Sequence, residues 1–420
     1  MLAPRMGVRM AAKSFGTRGL TPASARVVRY APATPTPGPR VREAAPAAFA
    51  QDDAEASETA RLFALFPLLT AGVIIFLSLV FAAQKHFAFD MRDNALSLGS
   101  IVALGGASRR LVFEGGEWWR IFLAPIYHGS LSHLVGNCVA LGFLGARLEP
   151  LLGRWWMSAA FVISALGGMA GSMIGNAPDV TTVGASGAIS GLIGALFAMS
   201  FHSRADEATQ QAMRRTAWRF GIPALAPLLW GAHGTTDYSA HLGGAVSGAM
   251  VGAVVALLWD GRSFRPGLQR IAAAIAVGGL TMSGVSAAMA ATQFKRHESR
   301  WAHLIPMSQT PRTVEEGAKR ADEFVTRYPR DPRSHLFRAV ALMQKDKLIA
   351  AEGELRAVIA NSAEAGPSKV KLERTAEAYM AMIYAYQGRR ADAQTMGKKV
   401  CGDRSMRSLQ NSLKKYKICG

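Results

Sequence analysis

Long apolar runs, parted by short polar or glycine-marked turns, dominate the chain from residue 62 to residue 291. Crossing a bilayer's hydrocarbon takes about 20 residues of helix. Seven stretches approach that length, at 62–83, 131–148, 155–174, 185–199, 220–232, 240–258 and 271–291. The fifth is short and broken by Pro223 and Pro227. Between the first two spans, residues 84–130 are of mixed polarity and include GGEWWRIFLAPIYHGS, whose Trp118, Trp119 and Arg120 suit the lipid headgroup level. Glycines recur through the spans, and in apolar helices they let backbones approach closely. The pattern predicts an all-α polytopic membrane protein with tightly packed helices.

The two ends read differently. Residues 1–58 are rich in Ala, Pro, Arg and Ser and should not fold compactly. They suit either a disordered basic arm or an Arg-rich organelle presequence. Residues 293–420 read as a soluble helical domain. Two of its segments, AVALMQKDKLIAAEGELRAVI and MIYAYQGRRADAQTMGKKVC, each run from an apolar helix through a polar turn into an amphipathic helix. That suggests helix hairpins of the tetratricopeptide kind, the alternative being a nonrepetitive helical bundle. The expected organisation is therefore 1–58, a six-span core at 59–260, a linker and seventh span at 261–292, and the helical domain at 293–420.

Charge orients this layout. The formal charge is +19, with eight Lys/Arg and no Asp/Glu in residues 1–42, and 25 Lys/Arg against 14 Asp/Glu in residues 293–420. A basic pI alone would admit nucleic acid, but no recognisable nucleic-acid module accompanies it. Attraction to anionic lipid headgroups explains it as well. Arg147 and Arg154 follow span two, Arg204, Arg214, Arg215 and Arg219 follow span four, and Arg262, Arg265 and Arg270 follow span six. The opposite loops, NAPDVTTVG and GTTDYS, have no Lys or Arg. The positive-inside rule then puts the N-terminus in the cytoplasm and, with seven spans, the C-terminal domain outside. Cys138 lies in an apolar span, whereas Cys401 and Cys419 are free to pair if the tail meets an oxidising compartment. No Cys/His spacing points to a metal.

Polar residues inside spans are costly and usually have a reason. His133 and Asn137, in HGSLSHLVGN with His128, are four apart and share a helix face at the start of span two. Interfacial histidines and helix-bonding asparagines are their ordinary alternative. Ser186 opens span four in GASGAISGLIG, flanked by Gly184 and Gly187. His241 opens span six in AHLGGAVSG, beside a stripe of Gly244 and Gly248. Either could be no more than a packing residue. Spans two, four and six all run from outside to inside, so their first residues share one membrane face. A serine is a weak nucleophile until a base takes its proton, and His241 could be that base. His133, Asn137 and the Ser186 N–H are candidate donors to a developing oxyanion. Asp237 sits in the outer loop, which leaves packing or a backbone carbonyl to orient His241.

From about residue 60 to 260 the sequence resembles the rhomboid family of intramembrane serine proteases. Trp119–Arg120 is similar to the family's Trp-Arg pair. His128, His133 and Asn137 follow its His-x4-His-x3-Asn pattern. Gly184, Ser186 and Gly187 follow its Gly-x-Ser-Gly motif, and His241, Gly244 and Gly248 its Ala-His-x2-Gly-x3-Gly motif. The resemblance implies a six-helix core, a Ser186–His241 dyad, an oxyanion site at His133 and Asn137, and no cofactor. It implies transmembrane segments of other proteins as substrates. The seventh span favours a bacterial cytoplasmic membrane, with the mitochondrial inner membrane as the alternative. One departure stands out: the family's bulky aromatic four residues after the nucleophile is Ser190 here. His241 must then be held otherwise, with Tyr238 or another ring as the candidate, and a proteolytically inactive relative that binds membrane clients is the alternative function. The bilayer and membrane-protein substrates are the expected partners, and nothing names a partner for the C-terminal domain.

Overall fold

The computed structural model describes residues 67–201, 207–225, 236–259 and 266–419. The basic segment 1–58, the start of the first expected span, Arg204 and Pro227 lie outside them.

Helix α1 (Leu68–Phe87) begins against a carboxylate. Glu149 accepts from the Leu69 N–H, the Thr70 N–H and the Thr70 hydroxyl, each at 2.8 Å. The first N–H groups of a helix lack partners within it and carry its positive dipole end, so a half-buried anion fits there. At its other end Gln84 holds the backbone of His128, accepting its N–H at 3.0 Å and donating to its carbonyl at 3.4 Å.

A small hairpin follows, β1 (Met91–Arg92) paired antiparallel with β2 (Ala95–Leu96). Asp93 and Asn94 turn it with φ of 50° and 60°, the conformation that two-residue hairpins favour. The expectation of a purely α-helical chain missed this element. The Leu96 N–H donates to Gly129 O and the Leu131 N–H to Asn94 O, so the hairpin braces the start of α4. Between them lie α2 (Leu98–Leu104) and the short α3 (Arg120–Leu123).

Helix α4 (Leu131–Gly175) is 45 residues long. Straight, it would measure about 68 Å, more than twice the hydrocarbon thickness. Gly153 breaks it at φ 72° and ψ 163°. The chain then doubles back, because His133 near its start and Ser172 near its end both meet the segment 182–184. The second and third expected spans are these two halves.

Helix α5 (Ser186–Met199) has 14 residues and is buried along nearly its whole length. Beside it runs α7 (Tyr238–Leu258). Their glycines face each other in register: a Cβ on Gly244, Gly248 or Gly252 would lie 3.1, 2.5 or 2.7 Å from the Cα of Gly187, Gly191 or Ala195. A second stripe on α7 meets α4, where a Cβ on Gly243 would lie 2.9 Å from Gly171 Cα. Small residues on both faces thus hold α7 between α4 and α5.

Helix α6 (Glu207–Leu225) starts 13 residues before the expected fifth span. Its first half is polar outward, while Met213 and Ala217 are buried. Apolarity alone therefore marked only its end, and residues 226–232 of that span lie outside the described ones. Helix α8 (Gln269–Trp301) runs without interruption through residues 292–293, where the last span was expected to give way to the C-terminal domain. Helices α1, α4, α7 and α8 are each long and apolar enough to cross a membrane, as befits an integral membrane protein.

The remaining helices follow as α9 (Val314–Lys319), α10 (Ala321–Arg327), α11 (Pro332–Met343), α12 (Leu348–Ala360), α13 (Lys369–Tyr386), α14 (Arg390–Cys401) and α15 (Arg407–Lys415). Short turns join α11 to α12 and α13 to α14, around a core that includes Leu336, Leu355, Val358 and Tyr384. Cys401 and Cys419 form a disulfide. The segment before α9 is clamped to the hairpin: Asp90 accepts from the Met307 and Ser308 N–H groups at 2.6 and 3.1 Å, and Arg92 donates to Thr310 O at 2.6 Å.

Candidate active site

Four elements converge at the hairpin end of the bundle. Gly184 holds φ of 127°, a value side chains disfavour, and its N–H donates to Ala124 O at 3.0 Å. This turn delivers half-buried Ser186 to the first turn of α5. Gly187 packs against the backbone of Ala240, so the residues adjoining Ser186 and His241 touch.

His241 is 8% exposed on the first turn of α7. Its Nδ1 lies 2.9 Å from Ala224 O on α6. A carbonyl only accepts, so Nδ1 carries the hydrogen and Nε2 presents a lone pair. Nε2 is buried and has no hydrogen-bond partner among the described residues. Burying such an atom unpaired costs about 1–3 kcal/mol. Tyr238 stands edge-on to the imidazole, centroids 5.8 Å apart at 83°. A backbone carbonyl and this ring therefore hold the base. Asp237 does not orient it: its carboxylate accepts from the Ala240 N–H at 2.9 Å and from Thr182 Oγ1 at 2.6 Å, capping α7. Burial opposes ionisation of Asp237, but hydrogen bonds from Ser172, Thr182, the Ala240 N–H and Asn176 bring its pKa below the ordinary value.

His133 and Asn137, one turn apart on α4, bracket Gly184. A Cβ there would come 2.6 Å from His133 Cε1 and 3.8 Å from Asn137 Nδ2. Only glycine leaves both polar groups beside the serine turn. Fully buried His128 supports them. Its Nε2 accepts from Asn137 Nδ2 at 2.9 Å, and its ring meets that of His133 edge-on at 5.1 Å. Burial pushes the His128 pKa down to about 3, keeping it a neutral acceptor. One amide hydrogen of Asn137 serves His128, leaving its other for a ligand.

Trp119 and Arg120 are buried inside the protein, and the guanidinium lies 4.6 Å from the indole centroid. Arg120 donates to Glu117 at 2.7 Å and to the carbonyls of Val102 and Gly106, each at 2.7 Å. His297 of α8 closes this cluster, its Nε2 2.9 Å from Arg120 and 3.0 Å from Glu117. Sequence reasoning missed both Glu117 and His297. Glu117 carried a weak signal in its three-residue spacing from Arg120, and His297 carried none.

Comparison with known proteins places part of the chain in a family. Residues 115–258 match the Rhomboid domain family model, so the chain carries a rhomboid domain. It is similar to RHOMBOID-like protein 5 of Arabidopsis thaliana, 33% identical over 192 residues that cover 43% of this chain and 58% of that one. The Rhomboid protease GluP of Bacillus subtilis is 26% identical over 41% of this chain and 32% of its own. For the Rhomboid protease AarA of Providencia stuartii the figures are 26%, 42% and 66%. The chain thus spans less than two thirds of each relative. No solved structure matches.

Proposed function

We propose that this chain is an intramembrane serine endopeptidase acting on transmembrane segments of other proteins. The observation that carries this reading is His241, whose Nδ1–H is fixed on Ala224 O while its buried Nε2 stays unpaired beside the Ser186 turn. Similarity to two proteins named as rhomboid proteases supports it.

In this reading a substrate helix enters laterally and partly unwinds. Small or helix-breaking residues ease that step, because free backbone in lipid is costly. Ser186 Oγ attacks the exposed carbonyl carbon as His241 Nε2 takes its proton. The carbonyl oxygen gains negative charge, stabilised by the Ser186 N–H, Asn137 and His133. The C–N bond breaks as His241 returns the proton to the leaving amine. Water, deprotonated by the same nitrogen, then releases the acyl group from Ser186. The imidazolium that forms meanwhile keeps its Nδ1–H on Ala224 O. His128, Trp119, Arg120, Gly184, Gly187, Gly244 and Gly248 position these groups. No cofactor is called for.

The C-terminal helices serve as a partner- or substrate-selecting module outside the cytoplasm. The Cys401–Cys419 disulfide supports that side, since such bonds persist in oxidising compartments. A bacterial cytoplasmic membrane fits the helix order.

Fluorophosphonate labelling of the full chain in detergent tests the dyad. Wild type should label, and Ser186→Ala and His241→Ala should not. A folded wild type that fails to label beside an active control protease supports instead an inactive, client-binding relative.

A further inference from the structure

One face of α6 has no part in the site described above. Arg214, Arg215 and Arg219 surround Trp218, with Gln211 and Ile222 completing the face, since positions three and four apart share one side of a helix. Trp218 and Ile222 are each 56% exposed, while Met213 and Ala217 on the other side are buried in the bundle. Arg214 donates to Gln210 at 3.0 Å, and its guanidinium lies 5.2 Å from the Phe201 ring centroid. Among the described residues, no carboxylate pairs with any of the three arginines.

The depth of this face is fixed by its neighbours. Trp218 meets Phe197 of α5, centroids 5.5 Å apart. Phe201 lies 15 residues beyond Ser186, or about 22 Å along a helix. Arg214, beside Phe201, therefore lies toward the membrane face opposite Ser186, the face that also holds Glu149 and the turn at Gly153, with Arg215 next to it and Arg219 about one turn nearer the site. Exposed arginines interleaved with an exposed Trp and Ile match a phosphate level bordered by glycerol and acyl chain. A guanidinium fork binds two phosphate oxygens at once. Arg147, Arg154 and Arg270, near the Gly153 turn, point by the positive-inside rule to the cytoplasmic leaflet for this face, where anionic lipids supply the complementary charge.

We propose that this face of α6 binds the headgroup of an anionic phospholipid. The arginines grip the phosphate and Trp218 seats beside the glycerol. The apolar residues account for a membrane lipid as occupant better than for a soluble anion.

Trp218 provides the test. The full chain is reconstituted in phosphatidylcholine vesicles with increasing amounts of either phosphatidylglycerol or phosphatidylcholine bearing brominated chains. Quenching assigned to Trp218 is the difference between wild type and Trp218→Phe. Brominated phosphatidylglycerol should quench at a lower mole fraction than brominated phosphatidylcholine. In the R215Q/R219Q variant, where both replaced residues are exposed, the preference should fall by about fivefold per arginine. R215K/R219K should keep most of it. Equal quenching by both lipids in wild type overturns the proposal. So does a preference that survives in R215Q/R219Q, or one lost as fully in R215K/R219K as in the glutamine variant.

Discussion

A single methyl group at Gly248 tests whether the glycine stripe sets the catalytic geometry. A Cβ there would collide with the backbone carbonyl of Gly191 and sit 2.5 Å from its Cα, whereas carbon atoms pack best at about 3.5–4.0 Å. The substitution Gly248→Ala must therefore part α5 and α7 by at least about 1 Å, taking that contact distance as the limit. Gly191 lies five residues along α5 from Ser186, so the serine moves with it relative to His241. A misplacement of about 1 Å can cost about 100-fold in rate. Stability responds less. Overpacking costs about 1–3 kcal/mol, offset by the roughly 1 kcal/mol that alanine gains over glycine in a helix. Cleavage of a quenched transmembrane substrate in vesicles should thus fall about 100-fold, while stability falls by no more than about 2 kcal/mol. Gly278→Ala on α8 is the matched control, since a Cβ there meets nothing within 4 Å. Gly248→Ala activity within twofold of wild type would refute the reasoning.

Three further outcomes are expected. His128 titrates near 3 in the fold against 6.5 in the unfolded chain, so the unfolded state takes up the proton first as pH falls. Its contribution to stability is complete above pH 6.5 and declines toward pH 3, by about 2 kcal/mol at pH 5. His128→Gln should remove that slope from unfolding curves while Gln Oε1 still accepts from Asn137. Cys401→Ser opens a link between residues 18 apart and should cost about 3 kcal/mol, read as lost hydrogen-exchange protection in α14 and α15 with the transmembrane helices unchanged. Glu117→Ala strands buried Arg120 and should cost about 3–5 kcal/mol. Early proteolytic nicking between residues 105 and 118 reads it, and normal protection there would argue against the cluster's role.

Much of the candidate site's arrangement was legible in the sequence. His133 and Asn137 are four apart, and loop charge set the first residues of spans two, four and six on one face. Tyr238, three residues before His241, was readable from helix spacing. Ala224 was not, because what it contributes is a carbonyl that every residue has. His297 lies 177 residues from Arg120, and no local pattern announces such a pairing. Helix α6 hid its beginning because its outward face is polar. The hairpin hid because its strands are two residues each, too short for any alternation to register.

Helix α8 has 33 residues, about 50 Å of continuous rod, against a hydrocarbon layer of about 30 Å. It passes out of that layer as a helix, without a loop to act as a swivel. The Asp90 clamp seizes the chain only six residues after the rod ends at Trp301. The C-terminal helices are thus mounted on a shaft rather than tethered by a string. His297 ties that shaft to Glu117 and Arg120, ahead of His128 in the chain.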